Sequence, residues 1–544
     1  MDAATTSAAE KVPAEIWLEI FALVPKSTDL YSLSVASRRF HDLTTRALHL
    51  DLVWLKQNHA EQNLAVWERN EGMEPYVRSL EISLGCPPST VQNALSTNDW
   101  LFGDNSPAAR LAAADVRRNF TEATERVTGA LWERVQRFTN ISSLALVDMY
   151  IDKDHFRLIH SLPQLRSLRI EACVFQANAA EGFDNRQLPI TELTMLNVRR
   201  GHDAHVNHDP MIMNLQQFQQ LQLHGPPAGP GAGAPMWINP PDPFAQALSL
   251  AVAENLRTLT VDASADVFRY VFGSSDAPAR SWTVPASIEE LYVVRKRTIT
   301  APEPKQSPHW AGAQSTFPDT HLYHFCAQAP SLKVVSTPIF VPAQVTIAAE
   351  ALPLGLERFA APVETAQFIA TVRDVKALGL LKCGLSSREG VTALASIALV
   401  RPGLKMLMME CKGWDAEIVS AVSRHFKELR RLKIVYDGPG PDENFLVSLA
   451  PDFLAEMPEL HTLEMYQLPP RGEFAPVHPP FLWDSSFASI EDELRDTLIG
   501  WTRFCPKLRK VQLVSGYAMT RGFEGGLWKL EKVRRLEQIE YLDY

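Results

Sequence analysis

Paired cysteines are the first thing missing from this chain. Its 544 residues include six cysteines, at 86, 173, 326, 383, 411 and 505, and no two of them form a Cys-x-x-Cys pair. That spacing argues against a zinc knuckle, a redox motif or a disulfide-stapled secreted scaffold, and it suits a reducing compartment, cytoplasm or nucleus. Long apolar runs are missing too. The best, Val391 to Val400, is diluted by Thr392 and Ser396 and falls far short of the roughly 20 residues a bilayer requires. The opening MDAATTSAAEKV has no basic segment ahead of an apolar stretch, so no secretory leader is expected and the first ten residues read as disordered. There is no basic surplus: 53 Lys and Arg face 63 Asp and Glu, a formal charge of −10. That balance speaks against a general nucleic-acid binder. Glycine is sparse at 26 residues while proline reaches 38, about 7% against a usual share of roughly 5%. Proline in excess without glycine is not linker composition; it interrupts something regular.

Catalytic signatures are also wanting. The chain has no Gly-x-Ser-x-Gly elbow, no His-Glu-x-x-His pair and no Walker loop. Gly229-x-Gly231-x-Gly233 sits in a Pro/Gly/Ala stretch, 225–244, without the strand-to-helix setting of a phosphate cradle. The best metal candidate is His202-x-x-His205-x-x-His208, flanked by Asp203 and Asp209. Gly201 and Pro210 bracket a stretch too short to hold those ligands rigidly, so it reads as a solvated loop. No catalytic residue, metal or cofactor is expected.

What is present begins at Lys11. The segment KVPAEIWLEIFALV sets Ile16, Ile20 and Leu23 at i, i+4 and i+7, with Pro13 at the start, where a missing N–H is harmless. After a break at Pro25-Lys26-Ser27, Leu30, Leu33, Phe40 and Leu43 recur at helical intervals, so three short helices fit Val12 to Trp54. The pattern runs Val12-Pro13-Ala14-Glu15-Ile16, Ile20-Phe21, Asp29-Leu30, Leu33-Ser34-Val35, Arg39-Phe40 and Leu43, with Phe40 and Trp54 closing it. This order and spacing resemble the F-box over residues 11–55, including its fungal members, with Val12 where leucine is usual. A segment this short buries little core by itself, so it needs a partner. The resemblance implies docking on the Skp-family adaptor of a cullin-RING ubiquitin ligase through Pro13, Ile16, Trp17, Ile20, Phe21, Leu30, Leu33 and Val35.

Beyond Trp54 one pattern recurs: an apolar residue, two others, an apolar residue, one other, an apolar residue. It occurs fourteen times, once with a threonine, Thr337, in the last place, centred at 80, 144, 168, 193, 221, 259, 291, 335, 359, 378, 407, 432, 463 and 511. Many spacings fall near the roughly 20 to 29 residues of leucine-rich repeats. Two instances extend to the whole consensus, Leu165-x-x-Leu168-x-Ile170-x-x-Cys173-x-Phe175 and Val375-x-x-Leu378-x-Leu380-x-x-Cys383-x-Leu385, which makes Cys173 and Cys383 structural rather than nucleophilic. Proline or a helix end often precedes the motif, as in SLPQLRSL, RPGLKML and FCPKLRKV, so each strand begins after a helix has been stopped. Ser386-x-x-Glu389 opens a helix to about Val400, and Leu494, Leu498 and Trp501 share a helical face. The expected fold class is α/β: an N-terminal three-helix F-box, then an irregular leucine-rich-repeat solenoid over 56–544 with a parallel inner sheet and helices outside. Insertions fall near 86–140, 199–250, 296–328 and 467–505.

A repeat sheet offers a recognition face. Residues flanking the central leucines point out of it, and in the early repeats these are small or polar: Ser79, Glu81 and Ser83, then Ser167, Arg169 and Glu171. Later they turn apolar, which places an exposed patch at Leu381, Met406 and Met408, rimmed by Lys433 and Tyr466, for an unknown protein substrate. The function expected is a non-catalytic substrate receptor. Two readings stay open beside it: an adaptor-bound scaffold without ligase activity, and an enzyme using the His202 to His208 loop or an insertion pocket. No nucleic acid or membrane partner is expected.

Overall fold

In this computed structural model the described residues are 12–22, 24, 27–55, 57–67, 72, 74–84, 129–176, 179–196, 198–200, 249–262, 284–294, 325–337, 352–383, 387–436, 440–467, 486, 487 and 489–533. The chain divides into two compact units, Met1–Ala253 and Glu254–Tyr544.

The first unit opens with three helices, α1 (Ala14–Ala22), α2 (Ser27–Ala36) and α3 (Arg38–Leu48). Ser37 caps α3, its Oγ accepting from the Phe40 N–H at 3.1 Å, so the helix starts where the sequence supplies a short polar acceptor. Both α1 and α2 pack on α3. Phe21, Leu30 and Leu43 form their buried centre, and Trp17, Phe21 and Phe40 meet with ring centroids 4.9 to 5.7 Å apart.

The helices end at Leu48, and Trp54 lies not in the helical module but in β1 (Asp51–Trp54), which pairs in parallel with β2 (Ser79–Ile82). A helix, α4 (Gln57–Trp67), connects them. The ladder continues through β3 (Ser143–Val147), β5 (Ser167–Glu171) and β7 (Glu192–Leu196), with Leu80, Leu144, Leu168 and Leu193 as successive partners. After β3 and β5 the chain bends through a left-handed residue, Asp148 (φ 51°) or Ala172 (φ 55°). It then forms the short strands β4 (Tyr150–Ile151) and β6 (Val174–Phe175), which with β8 (Arg199–Arg200) make a second small parallel sheet. Between β4 and β5 lies α5 (Lys153–Ser161), opened by a capping box of Asp152 and His155. Ahead of β3, residues 129–135 are helical, and Leu131, Val135 and Phe138 are buried.

The second unit repeats the pattern. In chain order these are β9 (Thr258–Asp262), β10 (Glu290–Val294), β11 (Val334–Ser336), β12 (Arg358–Pro362), β13 (Ala377–Cys383), β14 (Met406–Cys411), β15 (Arg431–Tyr436), β16 (Thr462–Gln467) and β17 (Lys510–Val514). They pair in parallel, in sequence order. Leu259, Leu291, Val335, Phe359, Leu378, Leu407, Leu432, Leu463 and Val511 lie in one row, each the partner of the next. The connecting helices are α6 (Val363–Val372), α7 (Ser387–Val400), α8 (Ala416–His425), α9 (Glu443–Asp452) and α10 (Ile490–Thr502). Asp415, Asp442 and Ser489 cap the last three, and Leu494, Leu498 and Trp501 are the buried face of α10. The ladder closes with two antiparallel strands, β18 (Tyr517–Thr520) and β19 (Lys529–Lys532), turned at Gly516, whose φ of 85° favours glycine.

The rungs begin alike. The first apolar residue of the motif closes a tight turn, Leu165 N–H to Leu162 O at 3.3 Å, Leu429 to Phe426 at 3.3 Å and Leu508 to Cys505 at 3.2 Å. The next two N–H groups then share one carbonyl of the preceding rung. Arg166 and Ser167 donate to Ser142 O at 2.7 and 2.9 Å, and Arg430 and Arg431 to Lys405 O at 2.7 and 3.1 Å. This satisfies the strand-entry donors and pins the register, since a one-residue slip would forfeit both bonds and turn every side chain over. Prolines 163, 402 and 506 sit between a helix end and such an entry, where an N–H is not required.

Candidate functional site

The eight side chains expected to meet an adaptor divide into two groups. Phe21 and Leu30 are 1% and 6% exposed and belong to the module's own centre, with Trp17 and Leu33 half-buried against it. Pro13, Ile16, Ile20 and Val35 face outward, the last three at 45%, 41% and 71% exposure. Tyr31, 65% exposed and one helical turn before Val35, joins them; the same i, i+4 spacing that picked out Ile16 and Ile20 could have found it. The module thus keeps an aromatic interior and presents apolar pairs on α1 and α2. Arg39 holds the entry in place, its Nη2 donating to Val12 O at 2.6 Å.

The second predicted surface is assembled but closed. Leu381, Met406, Met408 and Tyr466 do come together, with Ala360, Ala377 and Val435, in one cluster whose every member is a strand residue. Lys433 Nζ lies 6.0 Å from the Tyr466 ring centroid. Contrary to expectation these side chains are not exposed: the first three and Lys433 are 0% accessible and Tyr466 2%. The apolar flanking residues that read as a recognition patch form a second core on the strands. Across this face runs the row Ala360, Gly379, Met408, Lys433, Glu464 and Gln512, each beside the next. A Cβ at Gly379 would stand 2.6 Å from the Ala360 Cβ and 2.9 Å from the Met408 Cε, so the methionine needs the space that glycine leaves.

Three cations converge on one carboxylate in that row. The Glu464 oxygens, fully buried, accept from Arg431 Nη2 at 3.0 and 3.1 Å and lie 3.0 Å from Lys510 Nζ and 4.0 Å from Lys433 Nζ. Burial pushes the carboxyl upward, and Arg431, Lys433 and Lys510 outweigh it, holding Glu464 below its ordinary value and ionised. The corresponding surface of the first unit is open. There Arg169 pairs with Glu81 at 2.7 Å between side chains that keep partial access to solvent.

Cys173 is fully buried and its thiol donates to the Leu146 and Glu171 carbonyls, each at 3.3 Å, the structural role its place in the repeat implied. Burial pushes the Cys173, Cys326 and Cys411 thiols up to about 12 and Cys505 to about 11, so none of the four carries thiolate at neutral pH. The Cys383 side chain, the Ser386 cap, Leu221 and the His202 to His208 segment lie outside the described residues. Among the described residues no cluster of His, Cys, Asp and Glu is arranged to hold a metal ion, and no helix is long and apolar enough to cross a membrane.

No protein-family model matches the chain, and no curated protein does. Among solved structures it is similar to an internalin from Listeria monocytogenes, at 11% identity over 61% of this chain and 76% of that one, with a TM-score of 0.25. It is also similar to the plant peptide hormone receptor RGFR1 in complex with RGF2, at 9% identity over 62% of this chain and 49% of that one, with a TM-score of 0.21. At such scores the parallel ladder stands on its own register, in which the central motif residues are one another's partners.

Proposed function

We propose that the chain is the substrate-recognition subunit of a Skp-cullin-F-box type ubiquitin ligase, in which the N-terminal helices dock the Skp-family adaptor and the repeat ladder binds the target protein. The observation that carries this reading is the combination, in one three-helix module, of the F-box order of residues with outward apolar pairs at Ile16 and Ile20 and at Tyr31 and Val35. Apolar side chains held at the surface of a small helical unit are what a helical partner would cover. The chain would act by proximity, raising the local concentration of target lysines near a recruited conjugating enzyme, with no reacting group of its own.

Coexpression with a Skp-family adaptor tests the reading. Ile20→Asp and Val35→Asp place charge on exposed positions, so the module stays folded while adaptor copurification falls on the order of tenfold or more, the effect of losing a contact worth about 2 kcal/mol. Phe21→Asp would lose the complex for a different reason, because Phe21 is interior. Retention of the adaptor by both surface variants would sink the proposal. Cullin in the copurified complex separates a ligase subunit from a scaffold that binds the adaptor alone.

A further inference from the structure

In the second unit the residues just ahead of the strands form an edge of their own. From β13 to β17 they are Lys376, Lys405, Arg430, His461 and Arg509, and each of the last four donates its N–H to the carbonyl of the one before. The distances are 2.8 Å for Lys405 and 2.7 Å for Arg430, His461 and Arg509. Five basic side chains thus stand in one row, a strand spacing apart, in a chain whose formal charge is −10.

Only one end of the row is compensated. Lys376 pairs with Glu357 at 3.1 Å and Lys405 with Glu428. Further along, the carboxylates of the same turns are committed to other lysines, Glu456 to Lys427 and Glu459 to Lys507. Arg430 and Arg509 are exposed, and among the described residues their side chains have no hydrogen-bond or ion-pair partner. The equivalent arginines of the first unit are engaged: Arg78 Nη1 donates to Asn140 O at 3.5 Å and Arg166 Nη1 to Pro189 O at 3.2 Å. His461, between Arg430 and Arg509, registers the unbalanced charge. Burial, then Arg509, Arg430 and Lys507, hold its ring below the ordinary value, with Glu459 opposing them.

Like charges set side by side repel, and an anion between them removes that cost. A guanidinium is best matched by a carboxylate, which it holds through two N–H groups at once. Two strand spacings, about 9.6 Å at ~4.8 Å each, separate Arg430 from Arg509, and an extended peptide rising ~3.3 Å per residue covers that distance in three residues. We propose that this edge binds an extended acidic segment of a protein partner, with acids three residues apart on Arg430 and Arg509 and the intervening chain passing His461. The assignment rests on the reading of the ladder as the target-binding part of the molecule, and it names the chemistry of that target.

A fluorescein-labelled hexaglutamate peptide, titrated into the full chain at low ionic strength and followed by anisotropy, tests this. Arg430→Glu with Arg509→Glu should weaken binding on the order of tenfold or more. Arg78→Glu with Arg166→Glu, the same change of net charge made on the first unit, should alter it by about twofold or less. Equal losses from the two pairs would reduce the attraction to net charge and overturn the proposal, as would no binding by the unaltered chain. The acid dependence gives a second readout. Bound carboxylates offset the cations around His461, so its pKa rises on binding and affinity must grow as the pH falls from about 7.5 to about 5.5. His461→Gln should flatten that rise, and a rise that survives the substitution removes the peptide from this edge. Both arginines are exposed, so an unchanged urea midpoint should accompany the charge reversal; were it to fall, Arg430→Gln with Arg509→Gln decides by the same comparison. Adaptor copurification through Ile20 and Val35 should be unaffected by all of these substitutions, so failure of this edge and failure of adaptor docking are told apart.

Discussion

In β5 the side chains alternate, half-exposed Ser167, Arg169 and Glu171 between buried Leu168 and Ile170; in β14 Met406, Leu407, Met408 and Met409 are all buried. The two strands share one motif, one register and one kind of entry, with two N–H groups on a single carbonyl of the preceding rung. They differ only in the residues between the motif positions. A strand with one wet face carries polar residues at every second position, and a strand covered on both sides reads as a continuous apolar run. The motif builds the ladder, and the intervening residues decide whether its second face stays open, as on β2, β5 and β7, or closes, as on β14, β15 and β16. Apolar side chains beside a repeat motif are therefore a signature of burial before they are a signature of recognition.

The sharpest way to break that comparison is to place the same charge on both faces. Met408→Glu should destabilise the protein by roughly 3–5 kcal/mol, because it buries a charge without an adequate partner, while Thr194→Glu, at the equivalent place in β7, should change stability by about 0.5 kcal/mol or less. Urea midpoints measure both, and equal losses would erase the distinction. Next in size is the ion-pair comparison. Glu464→Gln should lose about 3 kcal/mol at neutral pH by stranding buried cations, whereas Glu81→Gln should lose no more than about 1 kcal/mol. Glu464 is held below its usual 4.5 in the folded chain, so its contribution is present above that value and disappears as the pH falls further. Denaturation curves of wild type and Glu464→Gln should accordingly converge on acidification, and a gap that persists at pH 2 would contradict the assignment.

Smaller effects refine the same contrast. Gly379→Ala should cost about 2 kcal/mol by forcing Met408 and Ala360 apart, and Ala360→Gly in the same chain should recover part of it. In the open unit the corresponding opportunity is a gain. Ala172 holds a φ of 55°, which strains a residue with a Cβ, so Ala172→Gly should stabilise by about 0.5 kcal/mol. A lower melting temperature for that variant would mean that chain entropy outweighs the relief.

Much of this architecture was legible before any coordinates. Every central motif residue read from the sequence, apart from Leu221, which lies outside the described residues, sits on a strand, and within each unit, from Leu80 to Leu193 and from Leu259 to Val511, successive residues are partners. β1 escaped because His49 occupies the first apolar place ahead of Leu52 and Trp54. Its ring bonds to Thr45 O at 2.6 Å and packs on Trp67, so a polar residue fills a structural position that a pattern of apolar residues does not detect. The short strands β4 and β6 depend on left-handed turns at Asp148 and Ala172, and alanine gives no warning of such a turn. In the helical module the apolar positions were legible but their division was not, since one periodicity generates both Phe21 inside and Ile20 outside. Grouping Met406, Met408 and Tyr466 was possible from alternation alone. Their burial was not, because it depends on what lies above the sheet, and alternation describes only the sheet.

The antiparallel pair β18 and β19 has a consequence for the molecule as an object of finite size. A parallel ladder in which each rung templates the next has no internal reason to stop; a further strand could always add to its last edge, from this chain or from another. Reversing direction twice and ending on exposed Lys529 and Glu531 replaces that growing end with one that is out of phase with another rung and charged. The hairpin is in this sense a chain terminator, and a protein shortened to Val514 should polymerise rather than unfold.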